Sequence, residues 1–172
     1  MAKILWSGSD NKTVRAFGWW LEALVLRSLW WLVALMPIDR ASRTGRRIFA
    51  LLGPRTAKHR HVLANLSTAF PDRGHDDIER LAVAVWGNVG AVSAEFAQLE
   101  KLFDARHSRE RIEVLPDPRK PGFPAYSKPC LFVTAHCANW EAAAYVAQQL
   151  TGALDVVYTP QENPGLDRMI QD

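Results

Sequence analysis

The sequence predicts an α/β fold: N-terminal membrane-associated helices, a helical middle, and the start of an α/β domain carrying a βαβ unit. Three observations lead there. The first sixty residues combine an apolar, Trp-rich run with a cluster of arginines. Between residues 78 and 103, apolar side chains recur at three- and four-residue steps. Between 130 and 159, two short apolar runs bracket a helical stretch.

Bulk composition sets the frame for these elements. A chain of 172 residues, 48% hydrophobic and 23% charged, has enough apolar content for a folded core and is not a disordered polymer. Cys130 and Cys137 make no disulfide framework and lack zinc-ligand spacing, and they read as reduced thiols of a cytosolic compartment. The net charge of +3 conceals an asymmetry. Residues 1–60 hold eleven Lys/Arg against Asp10, Glu22 and Asp39, whereas the remainder holds ten against fifteen. Five of the seven tryptophans (Trp6, Trp19, Trp20, Trp30 and Trp31) lie in the basic part. Tryptophan favours the headgroup level of a bilayer, and arginine is drawn to anionic lipid, so the pattern points to a membrane surface and away from nucleic acid. A Trp-rich core helix followed by a solvated basic face is the plainer alternative.

The first element is the helix written FGWWLEALVLRSLWWLVALM, Phe17 to Met36. Its length suits a membrane span, but Glu22 and Arg27 interrupt it at about 2.5–3.5 kcal/mol each near a helix centre. Pro37-Ile38-Asp39 follows in place of a small-residue cleavage site, which argues against a signal peptide. The expectation is a helix lying in the cytoplasmic leaflet, with Arg40, Arg43, Arg46, Arg47, Arg55, Lys58 and Arg60 holding the rest of the chain on that side.

Next comes a short helix over 39–52, stopped by Gly53-Pro54, and a second one to about Thr68 that breaks at Phe70-Pro71. Asp76 and Glu79 supply a capping box for a helix of about 25 residues, whose apolar face is Ile78, Leu81, Val85, Val89, Val92, Phe96, Leu99 and Phe103. Five prolines make 113–129 a loop. CLFVTA (130–135) reads as a buried strand, NWEAAAYVAQQL as a helix closed by Thr151-Gly152, and LDVVYT as a second strand, giving a right-handed βαβ unit. The domain division is 1–38, 39–110 and 111–172.

The chemistry concentrates in Thr134-Ala135-His136-Cys137-Ala138-Asn139-Trp140-Glu141. His136 falls at the carboxyl end of the first predicted strand, where open α/β sheets place ligands. Across the tight turn, the Glu141 carboxylate comes within reach of the imidazole, fixing its tautomer and stabilising the imidazolium. Such a pair serves general-base activation of a hydroxyl attacking an acyl carbonyl. Plainer roles stand beside these: Asn139 as an N-cap, and Glu141 as a carboxylate complementing a helix dipole.

The run KPCLFVTAHCANWEAA resembles the signature of the late acyltransferases of lipid A biosynthesis, relatives of the glycerolipid acyltransferases that share an HxxxxE/D motif. Asn65-Leu66 with Ala69-Phe70-Pro71, Glu95 on the long helix, Arg111-Ile112-Glu113, Val157-Tyr158-Thr159-Pro160, Asn163-Pro164 and Leu166-Asp167-Arg168 resemble further family segments in the same order. The resemblance implies a glycerolipid-acyltransferase-like αβ domain, truncated here to its N-terminal part and with little activity as a fragment. It implies transfer of a fatty acyl group from acyl carrier protein to a hydroxyl of a lipid A precursor, with His136 as base and Glu141 as its partner. Substrate contacts are implied at Asn139, Trp140, Tyr158, Asn163 and Arg168. No metal and no cofactor beyond the carrier thioester is implied, and the place of action is the cytoplasmic face of the inner membrane, among its phospholipids. Thr159 stands where the family carries arginine, and Ala138 where it usually carries glycine. Another phospholipid or glycolipid acceptor, or a non-catalytic membrane-surface module, are the alternative readings.

Overall fold

The computed structural model describes residues 11–104, 110–115, 129–135 and 137–171. Trp6, Asp10, most of the proline-rich stretch (116–128) and His136 lie outside the described residues. The described helices are α1 (Lys12–Ala34), α2 (Ile38–Leu52), α3 (His59–Ala69), α4 (His75–Phe96), α5 (Leu99–Leu102), α6 (Glu141–Thr151) and α7 (Pro164–Gln171), with a 3-10 turn at Gly53–Arg55. They fall into two compact units, Met1–Leu35 with Asp155–Asp172, and Met36–Leu154.

In the first unit, Asn11 starts α1 by accepting the N–H groups of Thr13 (3.0 Å) and Val14 (3.3 Å), which would otherwise lack intrahelical partners. Asn163, ahead of α7, is 2% exposed and uses its whole amide. Its Nδ2 donates to the Trp19 carbonyl and to Glu22 Oε2, both at 2.9 Å, and its Oδ1 accepts the Gly165 N–H at 2.9 Å. The charge that interrupts the apolar run of α1 therefore has a partner within its own unit.

The second unit is organised by α2 lying against α4. Their closest approach pairs Gly45 with Gly90: a Cβ on either glycine would overlap the other's carbonyl oxygen. Ala41 (1% exposed), Ala82 (0%) and Ala91 (2%) form the tightest part of this core, with Ile38, Ile78 and Val92 around them. Small residues allow two backbones to approach, and the buried face of α4 is accordingly made of Ala82, Gly87, Gly90, Ala91 and Ala94 as much as of larger side chains. Val85 and Val89, expected in the apolar stripe, are 38% and 36% exposed. Around α3, the Trp86 indole donates to His59 Nδ1 (3.1 Å), and His59 Nε2 meets Glu79 Oε2 (3.2 Å). Because an indole N–H can only donate, Nδ1 is the bare nitrogen and Nε2–H donates to the carboxylate.

Several helix ends fall where turn chemistry places them. α2 gives way at Gly53-Pro54, α3 ends at Ala69 before Phe70-Pro71, and α6 closes on Gly152 in the left-handed region (φ 78°). The capping box is a correction. α4 starts two residues earlier, with Gly74 and not Asp76 at the N-cap and no side-chain cap, and Glu79 is directed to His59. The expected 25-residue helix also breaks at Ala97-Gln98, leaving α5 as a separate turn.

The α/β expectation is overturned. Among the described residues there is no strand, and hence no βαβ unit or start of an acyltransferase-like αβ sheet domain. Neither CLFVTA nor LDVVYT takes up regular secondary structure, and Leu131 (89%), Val133 (88%) and Val157 (fully) are exposed. Apolar, β-branched composition states what a segment can bury; a strand also needs a neighbour to take its N–H and C=O groups, which composition does not report. Cys130 and Cys137 are free and exposed, not packed beside a buried strand. The expectation of N-terminal membrane helices is corrected too: among the described residues, no helix is long and apolar enough to cross a membrane. α1 contains Glu22 and Arg27, and the hydropathy of its leucines does not outweigh two charges.

Candidate active site

The segment preceding α6 is held by a chain of hydrogen bonds centred on Glu95, near the end of α4. Ser42 of α2 donates its hydroxyl to Glu95 Oε1 (2.6 Å), and Asn139 Nδ2 donates to Glu95 Oε2 (2.8 Å). The other end of the Asn139 amide accepts the backbone N–H of Glu141 (3.2 Å), while its carbonyl accepts that of Ala142 (3.3 Å). The N-cap position itself is Trp140, not Asn139 as its residue type suggests; from one residue further ahead, Asn139 receives the first amides of α6 and simultaneously ties that helix start to α4. A ring contact adds to the tie: Phe103, just after α5, stacks on Tyr145 of α6 with centroids 4.4 Å apart and planes 7° from parallel.

Glu95, Ser42 and Asn139 border a cavity of about 440 Å³, whose wall also includes Arg43, Arg46 and Arg111. Arg111 makes a two-pronged ion pair with Asp39, Nη1 to Oδ1 at 2.6 Å and Nη2 to Oδ2 at 3.0 Å. The hydrogen bonds from Arg111 hold the Asp39 carboxyl below its ordinary range, with Arg43 adding to the effect, and the Arg111 guanidinium is raised in turn. Asp39 therefore remains ionised through neutral pH. The cavity presents a fixed carboxylate, a fixed ion pair and two further guanidinium groups on one wall, an arrangement suited to a polar, anionic head on a larger ligand.

Ala138 has φ 48°, the left-handed region where a Cβ is disfavoured by about 1–2 kcal/mol. The turn demands this conformation, which costs glycine nothing, and here an alanine is held in it by its neighbours' hydrogen bonds. Ala138→Gly is expected to raise the stability of the second unit by roughly 0.5–1 kcal/mol, read as a higher denaturant midpoint at unchanged slope.

The predicted site residues divide between the two units. Asn139, Trp140 and Glu141 belong to the second, where Asn139 and Glu141 are in direct contact and Trp140 leads into α6. His136 lies outside the described residues. Tyr158, Asn163 and Arg168 belong to the first. There the Tyr158 hydroxyl meets the Asp167 carboxylate (3.5 Å), Asn163 is buried against α1, and Arg168 Nε donates to the Pro164 carbonyl (3.4 Å). Arg168 also borders a second cavity, of about 330 Å³, with Trp20, Leu24 and Arg27. Sequence reasoning had passed over Ser42 and given Glu95 no role beyond its match to the family pattern. Neither signals itself locally, because the partners lie 53 and 44 residues apart. Among the described residues, no group of His, Cys, Asp and Glu side chains is arranged to hold a metal ion.

Residues 9–172 match the family model described as bacterial lipid A biosynthesis acyltransferase. No curated protein and no solved structure matches the chain.

Proposed function

We propose, for a chain that belongs to the bacterial lipid A biosynthesis acyltransferase family and is thus an acyltransferase, that it moves a fatty acyl group from acyl carrier protein to a hydroxyl of a lipid A precursor. The observation that carries this reading is the family match, which runs through the HxxxxE segment and nearly the whole chain.

In the proposed reaction, His136 takes the proton of the acceptor hydroxyl as its oxygen attacks the thioester carbonyl. The tetrahedral intermediate collapses with loss of the carrier's thiolate, which recovers the proton from the imidazolium. An ester is formed and a thioester consumed, with no acyl-enzyme, metal or further cofactor. Glu141 stabilises the imidazolium between the two proton transfers. Supporting this assignment, Glu141 opens a helix whose first turn is fixed through Asn139.

Arg43 and Arg46, on the cavity wall beside Asn139, suit the phosphates of the glycolipid acceptor. The wider set of basic residues between 40 and 60 also suits the acidic carrier protein. Trp140, Tyr158 and Arg168 are assigned to substrate by the resemblance; Asn163, which the resemblance also implies, is buried with its whole amide bonded to Trp19, Glu22 and Gly165, and its part is to hold the start of α7 to α1. An acceptor of this kind places the enzyme at the cytoplasmic face of the inner membrane, beside its phospholipids. Thr159, standing where the family has arginine, favours one variation: a different glycolipid or phospholipid acceptor for the same chemistry.

Mass spectrometry of lipid A from a strain lacking the gene tests the proposal. The expected result is lipid A short by one acyl chain, restored by the gene in trans. Unchanged lipid A alongside altered phospholipid acylation would select the other acceptor; no change in either would reject the function.

A further inference from the structure

We propose that Glu95 is a positioning residue, whose carboxylate sets the start of α6 and with it the placement of Glu141. The inference rests on the reading of Glu141 as the partner of the catalytic base. Its grounds are geometric. Both oxygens of Glu95 are occupied by neutral donors from different parts of the chain, Ser42 at 2.6 Å from α2 and Asn139 at 2.8 Å from the segment before α6. The bond from Asn139 fixes the amide that in turn receives the Glu141 N–H at 3.2 Å. A disfavoured backbone at Ala138, φ 48°, immediately precedes this amide and needs neighbouring contacts to persist. The carboxylate has no hydrogen to give and two oxygens to receive, which matches a hydroxyl donor on one side and an amide donor on the other. Glu95 touches no reacting atom in this scheme; it acts through Asn139.

The pattern makes a specific demand. A glutamine at position 95 preserves both links, since its oxygen accepts from Asn139 and the Ser42 hydroxyl turns to accept from its NH₂. A leucine preserves the shape and loses both.

Amide hydrogen exchange on the full chain tests the idea without requiring turnover. In Glu95→Leu, the amides of Glu141, Ala142 and Ala143 are expected to exchange about tenfold faster relative to those of mid-α4, as for loss of a charge-assisted hydrogen bond. In Glu95→Gln they are expected to stay within about twofold of wild type. Exchange at these amides unchanged in Glu95→Leu overturns the proposal, as does equal acceleration throughout α2, α4 and α6, which marks a general loss of stability. Should Glu95→Leu fail to fold, Ser42→Ala decides: about threefold acceleration confined to the same amides supports the proposal, and none overturns it. The outcome is separable from the catalytic reading, because exchange judges Glu95 whether or not His136→Ala abolishes acyl transfer.

Discussion

Gly90→Leu is expected to unfold the second unit. At this position, a Cβ would sit 2.6 and 2.7 Å from Cβ and Cγ of Phe49 and would overlap the Gly45 carbonyl oxygen across the helix pair. Backbone cannot retreat as a flexible side chain can, so relief requires α2 and α4 to separate, taking apart the contacts of Ala41, Ala82 and Ala91. Overpacking of a tight core typically costs about 1–3 kcal/mol; with the remaining leucine atoms also unaccommodated, about 4 kcal/mol or more is expected. A domain of this size has roughly 5–15 kcal/mol in hand, so the variant is left marginal or unfolded. The opposing effect is too small to rescue it, because replacing a mid-helix glycine gains at most about 1 kcal/mol of helix propensity. Gly74→Ala is the control: no atom lies within 4 Å of a Cβ at Gly74, so its loss is expected to be only the roughly 1 kcal/mol of placing alanine at a helix N-cap. Urea denaturation followed by circular dichroism measures both, and a Gly90→Leu midpoint equal to wild type would show that the helices do not approach as described.

The same glycines show why parts of this fold were legible in the sequence and parts were not. Stops at Gly53-Pro54, Phe70-Pro71 and Gly152 are local chemistry, a missing N–H or a left-handed residue, and the structure ends helices at those places. On α4 the periodicity of bulky side chains marks a different face from the buried one, because close helix packing selects the small residues and leaves Val85 and Val89 at its margin. The strands were misjudged for a different reason. Leu131, Val133, Val156 and Val157 have strand composition, but pairing is a relation between two segments and is not written in either. For the candidate site, the bond from the Glu141 N–H to Asn139 is local, two residues apart, and within reach of sequence reasoning, although the N-cap position falls on Trp140. The Glu95 links to Ser42 and Asn139, and the Asn163 link to Glu22 across 141 positions, are long-range pairings that only the folded chain brings together.

On the proposed mechanism, in which His136 takes the proton of the acceptor alcohol, His136→Ala is expected to reduce acyl transfer by about 10²–10⁴-fold while leaving the fold intact. The loss belongs in kcat, since a base acts in the transition state and contributes little to holding the glycolipid. On the same proposal, in which its carboxylate stabilises the imidazolium, Glu141→Gln is expected to lower kcat as well and to leave a residual rate. If the two residues act as a unit, as proposed, the double variant should be no slower than His136→Ala alone, whereas independent contributions would multiply. Steady-state transfer from a carrier-protein thioester to a lipid A precursor, across pH and with circular dichroism as the folding check, reads all three. Wild-type kcat in His136→Ala would remove the base from the mechanism. Multiplicative losses in the double variant would keep both residues in the reaction but end their partnership.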